Sequence, residues 1–130
     1  MKIKEYDNNW QPELIDERCL ELCRVLNQLP SIETYESCEG HGKHPYWLFF
    51  RCTDMGTISR LGRCVVANYS DDNWEIVVDS VDGYPFGCFW LRTKSILNND
   101  ELDESIKQLI DSIYYWFDDD FDKYFEERHD

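Results

Sequence analysis

Residues 32–52 read IETYESC EGHGKHP YWLFFRC, two short segments rich in β-branched and aromatic side chains around a loop with two glycines. Such side chains favour strands, and a glycine-containing connection between two of them is typical of a β-hairpin. The sequence therefore predicts strands at 32–38 and 46–52. Segments of the same kind at 74–81 and 87–93 predict a second hairpin, which turns at Asp82-Gly83-Tyr84-Pro85.

Amphipathic helices are predicted before, between and after the two hairpins. Apolar residues recur every three or four positions over 12–29, over 54–69 and from Leu102 to Tyr124, which is the period of one helix face. Asp54 is placed to cap the second helix, and Glu101 is placed for a capping box in the third. Because two glycines weaken the second helix, residues from Cys64 onwards are also compatible with the start of a strand.

The order α-β-β-α-β-β-α predicts a single α+β domain over residues 1–130. We expect the two hairpins to form a four-stranded antiparallel sheet with helices packed on it. Consecutive apolar residues such as Trp47, Leu48 and Phe49 place apolar groups on both faces of the sheet. Helices on one face would leave more aromatic surface than a monomer usually exposes, so either the long final helix or a second subunit must cover it, and a homodimer is predicted.

The net charge limits the classes of partner. The chain has 27 acidic and 13 basic residues, which gives a formal charge of −14. This charge argues against nucleic acid and anionic lipid as partners and favours a basic protein partner.

Six cysteines would suit a disulfide framework in an exported protein. However, the N-terminal residues MKIKEYD lack the apolar core of a signal peptide, and no apolar run approaches the roughly 18 residues of a membrane span. We therefore expect reduced thiols, a cytoplasmic location and no contact with a membrane. Cys19 and Cys23 are one helical turn apart, a spacing that a metal could use, but we assign both to the apolar core.

The loop of the first hairpin concentrates reactive side chains. Gly40 and Gly42 allow positive φ angles, so the chain can turn sharply and gather neighbouring groups around one point. The sequence predicts a ligand-binding loop whose residues are Glu36, Cys38, Glu39, His41 and Lys43.

A metal site is predicted within the same loop. Cys38, His41 and His44 offer one sulfur and two nitrogens, which zinc accepts in tetrahedral sites. Structural zinc sites usually draw ligands from two chain segments, so a fourth ligand is expected from elsewhere. The candidates for it are Cys52, Glu36 and Glu39.

Two alternatives remain open, and with them whether the protein is an enzyme. In the first, Cys38 is a nucleophile with His41 or His44 as its base. In the second, the acidic and aromatic run YYWFDDDFD at 114–122 docks a basic partner or imitates a polyanion.

The motif Ser37-Cys38-Glu39-Gly40-His41-Gly42, followed by a strand, resembles a group of small bacterial and phage proteins that carry S-C-x-G-H-G. The resemblance covers about residues 32 to 93 and implies the position of the loop and a bacterial or phage origin, without an activity. The motif is also similar to the Ser-Cys-x-Gly-Arg element of the wybutosine-synthesis methyltransferase family. His41 replaces the Arg of that element, so the resemblance does not carry over tRNA binding or methyl transfer.

Overall fold

The structure, a computed structural model, describes residues 15–66, 72–81 and 87–117. It confirms the predicted α+β class and the order of the elements. The elements are α1 Glu17–Gln28, β1 Ile32–Cys38, β2 Trp47–Cys52, α2 Met55–Val66, β3 Trp74–Val81, β4 Gly87–Thr93 and α3 Asn99–Trp116.

The helix boundaries differ from the predicted ones for local reasons. The first helix begins at Glu17, because Asp16 has a non-helical backbone (φ −52°, ψ 140°). It ends at Gln28, since the residue before Pro30 disfavours helical geometry and Leu29 is extended. The predicted parts of the helices at 12–14, 67–69 and 118–124, and the turn at 82–85, lie outside the described residues.

The caps of α2 and α3 lie where the sequence predicts them. Asp54 Oδ2 accepts the backbone N–H of Thr57 at 2.8 Å, at the start of α2. Asn98 Oδ1 accepts the N–H of Glu101 at 2.8 Å, and the Asn98 amide donates to the Glu101 carboxylate. Cys64 lies within α2, so the alternative of a strand starting there is wrong.

The sheet has the strand order β1-β2-β4-β3, and all neighbouring strands are antiparallel. The central strands are therefore β2 and β4, while β1 and β3 form the edges. The pairing register shifts between Thr34 and Glu36 in β1 and between Val78 and Ser80 in β3. Each shift leaves one extra residue in an edge strand, which is the pattern of a β-bulge.

One sheet face is covered by the helices. Leu48, Phe50 and Leu91 are fully buried and form one apolar cluster with residues of all three helices. α3 contacts both α1 and α2, so the helices make one layer on the sheet. The predicted core positions Cys19 and Cys23 are confirmed, because both are buried in this cluster.

The other sheet face carries an aromatic row, formed by Tyr35, Phe49, Trp90 and Trp47. The centroids of neighbouring rings are 6.2 Å apart for Tyr35 and Phe49, 4.8 Å for Phe49 and Trp90, and 5.0 Å for Trp90 and Trp47. Tyr35 is 50% exposed, and none of the described helices covers the row. The homodimer stays a prediction.

None of the described helices combines the length and the apolar character that crossing a bilayer requires.

Candidate metal centre

The loop between β1 and β2 turns through three consecutive residues with positive φ. Gly40, His41 and Gly42 have φ angles of 91°, 52° and 75°. The N–H of Lys43 donates to the carbonyl of Gly40 at 2.9 Å and closes the turn. Positive φ at both central residues, with this hydrogen bond, is characteristic of a type I′ turn. The tight turn holds His41 at the outside of the loop, where it is exposed.

Asp16 joins the loop to the start of α1. Its Oδ2 accepts the backbone N–H of Glu39 at 3.0 Å and lies 3.3 Å from Nε2 of His41. Asp16, Cys38 and His41 each offer one ligand atom, and these atoms all lie within 4.8 Å of one another. The structure therefore brings together a carboxylate, a thiol and an imidazole from two separate segments of the chain.

His44 contacts the same thiol from the other end of the loop. Its Nε2 lies 3.6 Å from Sγ of Cys38, while its Nδ1 lies 3.0 Å from the carbonyl oxygen of Pro45. Because a carbonyl can only accept, Nδ1–H is the donor of that bond, and Nε2 of the neutral ring is left without a proton. His44 thus presents a lone pair to Cys38, although it lies outside the group formed by Asp16, Cys38 and His41.

The two short separations agree with those of tetrahedral zinc ligands. Zn–S bonds of about 2.3 Å and Zn–N bonds of about 2.05 Å place sulfur and nitrogen about 3.6 Å apart, and a nitrogen and an oxygen ligand about 3.4 Å apart. The observed distances are 3.6 Å for Cys38 Sγ to His44 Nε2 and 3.3 Å for His41 Nε2 to Asp16 Oδ2. These two separations match those of ligands on one tetrahedral ion, while the ligand atoms of Asp16, Cys38 and His41 as a group lie within 4.8 Å of one another.

An ion-pair network holds the loop against the helices. Arg18 of α1 donates from Nη1 to Glu39 at 3.0 Å and from Nε to Asp103 of α3 at 2.8 Å. These hydrogen bonds raise the pKa of Arg18, and the bond to Glu39 has the largest effect. The buried Tyr46 donates its hydroxyl to the carbonyl of Arg18 at 3.1 Å. The segment after Cys38 is therefore fixed to α1 and α3.

The remaining predicted ligands lie outside the cluster. The carboxylate of Glu39 forms an ion pair with Arg18. The buried Cys52 donates its thiol to the carbonyl of Asp54 at 3.3 Å. Glu36 lies opposite Phe49 in the strand pairing, and Glu36 and Lys43 are both exposed. Within the described part of the chain, the side chains of Glu36 and Lys43 make no hydrogen bond or ion pair. The sequence analysis missed Asp16, whose only signal was an acidic side chain just before a helix.

Burial separates the cysteines into two groups. It raises the pKa of Cys19 to about 12, of Cys23 to about 11 and of Cys64 to about 12, because a thiolate would lose its hydration there. Cys38 and Cys88 are the two half-buried thiols. Because a metal binds the thiolate, Cys38 is the thiol that combines partial exposure with neighbouring ligands.

The acidic aromatic run is described only at its start. Tyr114 and Tyr115 of α3 are 46% and 67% exposed, and 118–122 lies outside the described residues. The basic partner of this run stays a prediction.

Comparison of the chain with family models, with curated proteins and with solved structures finds no match.

Proposed function

We propose that this protein binds a transition metal ion, for which zinc is the best fit, through Asp16, Cys38 and His41, with His44 as the fourth ligand. The observation that supports this function is the convergence of three ligand atoms within 4.8 Å, from the residue before α1 and from the end of β1 and its loop. Such a two-segment arrangement is the usual one in zinc sites.

The set of donors favours zinc over magnesium and calcium. Magnesium and calcium take oxygen ligands, whereas a thiolate and imidazoles suit zinc and its neighbours in the transition series. His44 also has the environment of a metal ligand, because its second nitrogen donates to the carbonyl of Pro45. A hydrogen bond of this kind fixes the tautomer and orients the ring toward the ion.

A bound ion would connect α1 to the loop of the first hairpin. Asp16 is 32% exposed and His41 is 55% exposed, so an ion can reach the site from solvent. Because the unfolded chain does not hold these groups together, binding would stabilise the folded state. The role we propose is therefore a structural cross-link at the edge of the sheet.

Cobalt titration of metal-free protein tests the proposal. We expect one equivalent of Co²⁺ to give a thiolate-to-cobalt charge-transfer band and the visible absorption of a tetrahedral site. Cys38→Ser removes the charge-transfer band. Asp16→Asn and His41→Asn each weaken binding by at least about tenfold, the lower limit for changes outside the ligand shell.

The matched controls follow from the structure. Asn tolerates the left-handed backbone of residue 41, so His41→Asn removes the imidazole without forcing the turn to change. Cys88→Ser removes the other half-buried thiol and should leave the spectrum intact. Less than one equivalent of bound metal, or a charge-transfer band that survives Cys38→Ser, would contradict the proposal.

A second candidate function rests on the contact between Cys38 and His44. With Nδ1–H donated to Pro45, Nε2 of His44 is the acceptor for the thiol proton of Cys38 at 3.6 Å, which is the arrangement of a nucleophile and its base. In metal-free protein, iodoacetamide would then alkylate Cys38 faster than Cys88 at neutral pH. His44→Asn would abolish the difference. Equal rates for the two thiols in the unmodified protein would eliminate this candidate.

A further inference from the structure

A cleft of about 490 Å³ lies on the outer sheet face, next to the candidate metal centre. Its lining includes His44, Trp47, Trp90, Glu75, Arg92 and Lys94. Clefts of about 300–1,000 Å³ are the size that small organic ligands occupy. We infer that this cleft binds a small planar aromatic molecule that carries one anionic group. The site is separate from the proposed metal function, although His44 borders both.

The floor of the cleft is made of rings held in fixed positions. Trp47 and Trp90 lie on the central strands β2 and β4, with an interplanar angle of 69° and centroids 5.0 Å apart. Trp90 donates its Nε1–H to Asp79 at 3.0 Å, which fixes its orientation. Rigid aromatic surfaces of this kind bind planar ligands by stacking and edge contacts. The shape and chemistry of the floor therefore favour an aromatic ring.

The charged groups around the floor determine which ligand charge the cleft accepts. Arg92 and Lys94 are cationic, and among the described lining residues Glu75 is the one carboxylate. Asp72 pairs with Lys94, and Asp79 accepts from Trp90, so these two cations are balanced by neighbouring carboxylates in a chain with a net charge of −14. An anionic group on the ligand meets two cationic donors here, whereas the chain as a whole is strongly acidic.

Both cations can be recruited by a ligand. Arg92 pairs with Glu75 at 2.8 Å, and Lys94 pairs with Asp72 at 2.9 Å. The side chains of Arg92 and Lys94 are each 44% exposed, and Asp72 is 93% exposed. Exposed pairs of this kind are weak, so a ligand carboxylate or phosphate competes with Glu75 and Asp72 for the same donors. Glu75 is thus a competitor of the ligand rather than a part of its binding site.

Three indole probes that differ mainly in charge test the inference by calorimetry or ligand-detected NMR. They are indole-3-acetate, its neutral analogue indole-3-ethanol and the cationic tryptamine. We expect indole-3-acetate to bind most tightly and tryptamine least, and acetate alone not to bind. The titrations are made on both metal-free and metal-loaded protein, so that failure of the metal site and failure of the cleft are distinguished.

Substitutions on the two sides of the ion pair should act in opposite directions. Arg92→Gln weakens binding of indole-3-acetate by about fivefold, whereas Glu75→Gln frees Arg92 and tightens binding by about threefold, as expected for loss or gain of one exposed charge pair. A purely structural role of the pair would not produce opposite effects. Trp90→Leu weakens binding by at least about fivefold, the lower limit for loss of one stacking contact. Tyr35→Leu, which changes the aromatic row outside the cleft lining and at the end away from Trp90, leaves it unchanged.

The inference is overturned if tryptamine binds as well as indole-3-acetate, if no indole binds, or if Glu75→Gln weakens binding. Should Trp90→Leu fail to fold, the two surface substitutions at Arg92 and Glu75 decide the result on their own.

Discussion

At the scale of single residues, the path of the loop depends on Gly40. Its φ is 91°, and a Cβ atom placed there would lie 2.2 Å from the carbonyl oxygen of His44. Gly42 also has a positive φ, of 75°, but an added Cβ atom would meet no atom within 4 Å. A substitution at Gly40 therefore combines a backbone clash with backbone strain, whereas a substitution at Gly42 causes strain alone.

We predict that Gly40→Ala lowers the free energy of unfolding by at least about 2 kcal/mol, because the clash adds to the strain. Gly42→Ala should cost only about 1 kcal/mol, the usual penalty for a left-handed residue with a side chain. Urea unfolding of both variants measures this difference. We also expect Gly40→Ala to displace His44 and weaken Co²⁺ binding, while Gly42→Ala retains it. Equal effects of the two substitutions would contradict the prediction.

Only part of the candidate site could be predicted from the sequence. Cys38, His41 and His44 could be selected because they are close in the chain, and glycines next to histidines indicate a tight turn. Asp16 could not be selected, because its position next to the loop depends on how α1 packs on β1 and on the bond from Glu39. No local pattern encodes this tertiary contact, so the sequence alone predicted an incomplete set of ligands.

At the scale of elements, α1 and α2 place three thiols in the apolar core. Burial raises the pKa of Cys19 and Cys64 to about 12 and of Cys23 to about 11, from an ordinary value of 9.0. The folded state therefore holds these protons at a pH where the unfolded chain releases them. Stability from this source is complete below pH 9 and is lost as the pH rises from 9 toward 11 and 12.

We predict that each buried thiol costs about 1.4 kcal/mol of folding free energy on going from pH 8 to pH 10, since pH 10 is one unit above the unfolded pKa. Denaturant unfolding at a series of pH values measures the total. Cys64→Ala lowers stability at neutral pH by leaving a cavity, but it should remove its own share of the alkaline loss. An unchanged slope between pH 9 and pH 10 in that variant would show that Cys64 does not contribute.

The elements themselves were predictable because their signals are local. Alternation of strand-forming segments with glycine-containing turns located all four strands, and Glu101, placed for a capping box, marked the start of α3. The start of α1 was less predictable. Asp16 uses its carboxylate for the loop of the first hairpin, and that distant contact coincides with the boundary of the helix.

At the scale of the whole molecule, the described residues form two layers with different properties. The helical layer buries one sheet face in a single apolar cluster, while the opposite face presents the aromatic row and the cleft. The chain has a net charge of −14, and the two cations that line the cleft, Arg92 and Lys94, are paired with Glu75 and Asp72. The sequence predicted aromatic residues on both sheet faces, but not the strand order, which brings Trp47 and Trp90 onto neighbouring strands.

The bulges in β1 and β3 have a further consequence for how molecules of this protein meet. Strands rich in aromatic residues are prone to recruit identical strands and to seed fibrils. In this sheet the two central strands are paired on both sides, and each outer strand is kinked by one extra residue. An edge strand with a bulge is a poor template for an incoming strand, so the two bulges protect this aromatic-rich sheet against edge-to-edge growth into cross-β aggregates.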